Sequence, residues 1–292
     1  MKRFRSIFAA MLLIFIFSGC GSQPVSPEIA ATTLPVYEFT SRLCDGTELT
    51  VGQLITDNVS CLHDYSLNVR QVRAAEAAKL IVVNGAGLEE FMEDILRGKS
   101  VIDSSEGIDV IECEESHDHD GHDHHHHDVD SHIWLSPENA RIMSINICNG
   151  LTTAYPEYTD IFETNLATLL YDIDALKIYS ETQLSSLAKR ELVTFHDGFS
   201  YLAHSFNLTI LEAVEEESGS EASASELKEL ILLVREHQIP AIFTEVNGSS
   251  SAASVIARET SIETFTLDMA MSGDSWFDAM YHNIDTLKEA LE

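Results

Sequence analysis

The chain has 292 residues, 45% of them hydrophobic, which suits one large or two medium domains with sizeable cores. Seventeen Lys and Arg stand against 48 Asp and Glu, a formal charge of −31, so phosphate backbones would be repelled and no nucleic-acid partner is expected. Such a surface favours solubility and draws cations, but charge alone says nothing about fold.

At the N-terminus Lys2, Arg3 and Arg5 precede the apolar run Ile7–Phe17, and Ser18-Gly19 lead into Cys20. This is the pattern of a signal peptide over residues 1–19, with an apolar run too short for a membrane-crossing helix of about 20 residues. Phe17-Ser18-Gly19-Cys20 resembles a bacterial lipobox, in which the cysteine becomes lipidated after cleavage, with Phe17 where Leu is usual. A plain secretory signal with an incidental cysteine is the alternative, and both readings place the mature protein outside the cytoplasm. The lipobox reading makes residues 20–28, small, polar and Pro-containing, a tether from the membrane.

Outside the cytoplasm, Cys44, Cys61, Cys113 and Cys148 are an even set that permits three disulfide connectivities. Cys44–Cys61 and Cys113–Cys148 are preferred because each encloses a modest loop, against the alternative of buried free thiols. There is no CxxC pair to suggest a redox site or a cysteine zinc cluster.

Ile29–Leu34 and Glu48–Leu54 read as strands, Asn68–Ala78 as an amphipathic helix, Lys79–Val83 as a strand and Leu88–Leu96 as helical. Gly85-x-Gly87 lacks the third glycine of a dinucleotide site. Residues 114–130 are almost wholly Asp, Glu and His, without apolar periodicity, and read as a loop. Pro137–Leu151 returns to helical spacing, and Glu157–Leu187 is the longest periodic stretch, roughly 45 Å as a helix at 1.5 Å per residue. A second alternation follows: strands at Glu191–Phe195, Leu208–Val214, Ala241–Thr244 and Glu263–Leu267, and helices at Gly198–Phe206, Ser225–Gln238, Ala252–Thr260 and Trp276–Leu291. The expected architecture is α/β: one lobe over 29–155, a long connecting helix over 156–188 and a second lobe over 189–292.

Thirteen histidines are present, and seven of them (His117, His119, His122, His124, His125, His126 and His127) lie in the acidic loop. Imidazole and carboxylate ligate first-row transition metals, so this tract should bind zinc, copper or nickel loosely. A tight site needs ligands fixed by backbone at the ends of regular elements. His63, His132, His196 and Asp268 meet that description, two in each lobe, at the crevice position where open α/β sheets bind ligands. Taken singly, each histidine is more often a surface or hydrogen-bonded residue, and it is the four positions together that shift the balance.

Five stretches resemble the zinc- and manganese-type substrate-binding proteins of bacterial ABC transporters. They are His63-Asp64-Tyr65-Ser66-Leu67, Leu80–Glu89, Asp130–Pro137, Phe195–Tyr201 and Ile242-Phe243-Thr244-Glu245, within a similarity running from about Ala31 to the C-terminus. The resemblance implies two lobes with a rigid connecting helix and metal held in the cleft between them. It places His63, His132 and His196 on three ligand positions and Asp268 on the fourth, where water or a neighbouring carboxylate is the alternative ligand. A histidine at the third position accompanies the zinc branch, whereas manganese proteins tend to carry a carboxylate there; Zn²⁺ is therefore expected ahead of Mn²⁺. It further implies a monomer that docks on an ABC permease and has no catalytic role. The chain departs from the family pattern at Glu245-Val246-Asn247, usually Glu-Pro-Gln, and at Asp268-Met269-Ala270, usually Asp-Pro-Leu. His204, His237 and His282 match no ligand position. A secreted zinc hydrolase is the alternative from another class, although neither His-Glu-x-x-His nor Gly-x-Ser-x-Gly occurs. A metal-buffering or adhesive surface lipoprotein is a third.

Overall fold

Strands and helices alternate along a chain described, in a computed structural model, at residues 27–59, 62, 65–112, 129–215, 223–246, 248 and 251–292. In the first half β1 (Ile29–Ala31), β2 (Val51–Gln53), β3 (Leu80–Val83) and β4 (Ser100–Asp103) form a parallel sheet in the order β2-β1-β3-β4. Between them run α1 (Leu34–Leu43), α2 (Val69–Ala77) and, after a 3₁₀ turn at Glu90–Met92, the short α3 (Glu93–Leu96). All four residues of β3 are buried, as expected for a parallel strand covered on both faces.

Three places in this half correct the sequence reading. The strand expected at Ile29–Leu34 stops at Ala31, and α1 begins at Leu34 with Pro35 in its first turn. Val36, Phe39, Thr40 and Leu43 recur at helical spacing on its buried side. β4 was not anticipated: only Ile102 of its four residues is buried, so an edge strand this short shows no alternation. The helix expected at Leu88–Leu96 is the 3₁₀ turn followed by α3.

α4 (Pro137–Ala154) starts at an N-cap, Ser136, whose hydroxyl accepts from Asn139 N at 3.3 Å. α5 (Thr159–Gln183) is the long helix, shorter at both ends than its periodicity suggested and about 38 Å long at 1.5 Å per residue. Its buried stripe, Phe162, Leu169, Ile173 and Leu176, packs with α1, α4 and α9.

The second half repeats the first. β5 (Glu191–His196), β6 (Thr209–Glu215), β7 (Ala241–Glu245) and β8 (Glu263–Leu267) form a parallel sheet in the order β6-β5-β7-β8. α6 (Ser200–Ser205), α7 (Ala224–His237), α8 (Ser251–Thr260) and α9 (Trp276–Leu291) complete it. Alternation along β5 divides its side chains. Val193 and Phe195 join a core with Leu230 and Val234 of α7 and Ile256 of α8, while Leu192 joins the main core. Thr194 and His196 share the face of Leu192.

The main core runs through residues of both sheets, so α5 is not the sole link between the halves. Trp134 Nε1 donates to Met269 O at 2.7 Å, Trp276 Nε1 donates to Trp134 O at 3.0 Å, and Trp276 N donates to Glu38 Oε2 at 2.6 Å. Cys44 and Cys148 are buried free thiols, so neither preferred disulfide pairing forms; Cys61 and Cys113 lie outside the described residues. No described helix is long and apolar enough to cross a membrane.

Candidate metal centre

In a sheet of order 2-1-3-4 the chain reverses direction across the sheet between the first and third strands, and ligands bind in the crevice beyond their carboxyl ends. In the second sheet that point lies between β5 and β7, whose last residues are His196 and Glu245. His196 is 2% exposed and Glu245 5%, with 3.8 Å between His196 Nδ1 and Glu245 Oε2. Burial of these polar groups at strand ends marks a site, because neither contributes to apolar packing.

His132 reaches the same place from the first half. It precedes a 3₁₀ turn, Ile133–Leu135, whose three side chains are fully buried. Asp130 Oδ1 accepts from the backbone N of His132 at 2.9 Å and from its ring Nδ1 at 2.7 Å. The segment rests on the first sheet's own reversal point, since Asn84, just after β3, donates from Nδ2 to Ser131 O at 3.1 Å. Asn84 N and Gly85 N in turn donate to the carboxylate of Glu89, which also accepts from Thr32 beyond β1. Complete burial raises the Glu89 carboxyl to about 7, against the opposing pull of these hydrogen bonds.

The rings of His132 and His196 lie 5.3 Å apart, nearly perpendicular at 87°. Trp134 lies 5.2 Å from the first ring and Phe199 6.5 Å from the second. Two of the sequence-predicted ligands are thus brought together from different halves of the chain. Asp268 follows β8 and is half-buried, its backbone tied to Asn283 of α9 by two hydrogen bonds of 2.7 Å. Its Oδ1 closes a turn by accepting from Ala270 N at 2.7 Å, with Ala270 in the left-handed region at φ 54°. β7 separates β8 from β5, so at about 4.8 Å per strand Asp268 starts about 10 Å from His196, with Glu245 between them.

His63 lies outside the described residues, as do Cys20 and the seven loop histidines. Among the described residues no three His, Cys, Asp or Glu side chains converge closely enough to hold an ion by themselves. The flanks of His63 are anchored: Leu62 is buried, and Tyr65 packs edge-on against Phe91 at 5.5 Å and donates to Asp57. Sequence reasoning did not single out Asp130 or Glu245, although the Asp-x-His spacing and a carboxylate closing an apolar strand were both visible. His237 sits at the far end of α7, 3.5 Å from Glu191, away from this cluster.

Residues 29–290 match the family described as zinc-uptake complex component A, periplasmic (ZnuA). The chain belongs to this family. Its members are the zinc- and manganese-type substrate-binding proteins of ABC importers. The zinc-binding lipoprotein AdcA of Streptococcus pneumoniae serotype 4 is 28% identical over the whole chain, which spans 62% of that relative's length. The high-affinity zinc uptake system protein ZnuA of Bacillus subtilis is 27% identical over 99% of this chain and 98% of its own. The solved Zn(II)-bound ZnuA-like domain of Streptococcus pneumoniae AdcA superposes with a TM-score of 0.76 at 25% identity, covering 91% of this chain and 99% of that one. The two-lobe fold expected from the sequence is therefore that of the family.

Proposed function

We propose that this protein captures Zn²⁺ in the cleft between its sheets and delivers it to a membrane permease, without catalysing a reaction. The observation that carries the reading is the buried pair His132 and His196. Zn–N bonds of about 2.1 Å at a tetrahedral angle put the centres of two imidazoles on one ion about 5 Å apart. The observed 5.3 Å fits. His63 is the third ligand in this reading, and Asp268 or water the fourth. Imidazole ligands favour zinc over manganese, which prefers oxygen donors. The names of the relatives in Streptococcus pneumoniae and Bacillus subtilis support the same choice of metal.

In this reading the lipid on Cys20 holds the mature protein, a monomer, to the outer face of the cell membrane. The histidine-rich loop raises the local zinc concentration but is not the final binding place. Titration of zinc against a competing chelator tests the site. His132→Ala, His196→Ala and His63→Ala should each abolish the tight event, whereas Asp268→Ala should weaken it less if water can substitute. Tight binding retained in a histidine variant would remove that residue from the site. Elemental analysis of protein purified without added metal tests the choice of ion, with manganese as the outcome against it.

A further inference from the structure

Each of the two converging histidines carries a carboxylate at the same ring nitrogen. At His132 the partner is Asp130, 2.7 Å from Nδ1, with side-chain exposures of 4% and 7%. At His196 it is Glu245, 3.8 Å from Nδ1, with exposures of 3% and 4%. The two arrangements have different origins, one within a three-residue loop segment and one across neighbouring strands.

Asp130 is itself held in place. Its backbone N donates to Ile111 O at 2.8 Å, and its carbonyl accepts from the Tyr201 hydroxyl at 2.9 Å. That hydroxyl also accepts from Ile111 N at 2.9 Å, so a side chain on α6 in the second half grips the segment that presents His132. Glu245 is placed by the β7–β8 register, which pairs it with Leu267, and by β7 lying beside β5.

At 2.7 Å the Asp130 carboxylate accepts from His132 Nδ1, which fixes the tautomer with the proton on Nδ1, orients the ring and leaves the lone pair on Nε2. At 3.8 Å Glu245 is a charged neighbour of His196 Nδ1 and not its hydrogen-bond acceptor, and its negative charge favours the proton on that same side of the ring. At His196 the clearance agrees: a Cβ at Gly198 would lie 2.8 Å from Nε2, so glycine keeps space beside that nitrogen. Two carboxylates in a buried cleft also match the two charges of a divalent ion, which burial would otherwise penalise.

We propose that Asp130 and Glu245 are positioning residues of the metal site, holding His132 and His196 with Nδ1 protonated and Nε2 directed at the ion, and offsetting its double charge. This rests on the reading that both histidines ligate metal. Two measurements test it. Nitrogen-15 spectra of the imidazoles in the metal-free protein should show the Nδ1–H form at both residues, lost at His132 in Asp130→Ala and at His196 in Glu245→Ala. Chelator competition should show zinc affinity falling about 10- to 100-fold in each alanine variant. Asp130→Asn and Glu245→Gln, which keep an acceptor oxygen, should recover part of the loss. They also supply folded proteins if an alanine variant fails to fold.

Nε2–H tautomers in the parent protein, or parental zinc affinity in both alanine variants, would overturn the proposal. His132→Ala and His196→Ala, titrated alongside, separate the two levels. If they keep tight binding, the site itself is misplaced; if they lose it while the carboxylate variants do not, only the positioning role falls.

Discussion

Gly198 lies two residues beyond His196, in the turn from β5 to α6, and the space it leaves can be filled by a single methyl group. A Cβ there would stand 2.7 Å from Cδ2 and 2.8 Å from Nε2 of His196, and 2.7 Å from the Met269 methyl. Its φ is outside the left-handed region, so Gly198→Ala acts through space and not through backbone strain. Ordinary contacts between non-bonded carbons are about 3.5–4.0 Å, so about 1 Å must be relieved. The thioether of Met269 can turn aside. The imidazole has less room, being buried between His132 and Phe199. Without metal the ring can tilt, but a metal–nitrogen bond tolerates only about 0.2 Å. Overpacking of this kind costs about 1–3 kcal/mol. Expressed in the bound state alone, that is an affinity loss of about 5- to 140-fold at 1.4 kcal/mol per factor of ten. Chelator competition reads the loss directly, and the smaller rise in melting temperature with added zinc reads it independently. Unchanged affinity in Gly198→Ala would show that the ion does not sit at this edge of His196.

Glu89 should make stability depend on pH. Its carboxyl is raised from 4.5 to about 7, so between those values the folded chain holds a proton that the unfolded chain has lost. Stability from this group therefore falls as pH rises through that window, by about 3 kcal/mol in all. Glu89→Gln should flatten the difference in urea unfolding between pH 5 and pH 7.5 in chelator, and parallel curves for the two proteins would refute the assignment. Trp134→Phe should cost at least about 1–3 kcal/mol by orphaning the Met269 carbonyl. Trp276→Phe should cost a similar amount by orphaning the backbone carbonyl of Trp134; an unchanged urea-unfolding midpoint in either variant would contradict these ties. Deleting Glu114–Asp128 removes seven histidines and none of the proposed cleft ligands. It should lower the number of zinc ions bound at saturation and leave the tightest event intact, since a tract of Asp, Glu and His without apolar periodicity has no core to preorganise it and loses entropy when it wraps an ion. Disappearance of the tightest event in a chelator titration would move the primary site into the loop.

The sequence by itself determined most of the alternation of strand and helix, the long α5 and the placing of His132 and His196 at the ends of elements. The reason is local. Apolar runs such as Leu80–Val83 and Ala241–Thr244, the Asn68/Gln71 capping box and the Ser136-Pro137 helix start are written in neighbouring residues. α1 was legible in the same terms, from Pro35 and the spacing of Val36, Phe39 and Leu43, but the apolar stretch before it read as a longer strand. What only the tertiary structure decided is which residues meet. Strand order alone makes Glu245 the neighbour of His196 and sets Asp268 one strand further away, and no spacing in the chain encodes that order. The free thiols of Cys44 and Cys148, the grip of Tyr201 on Asp130 across 71 residues and the Trp134–Met269 tie across 135 are likewise products of packing. A hydrogen bond between distant residues forms where burial leaves a donor and an acceptor no other partner, and burial is a property of the assembled core.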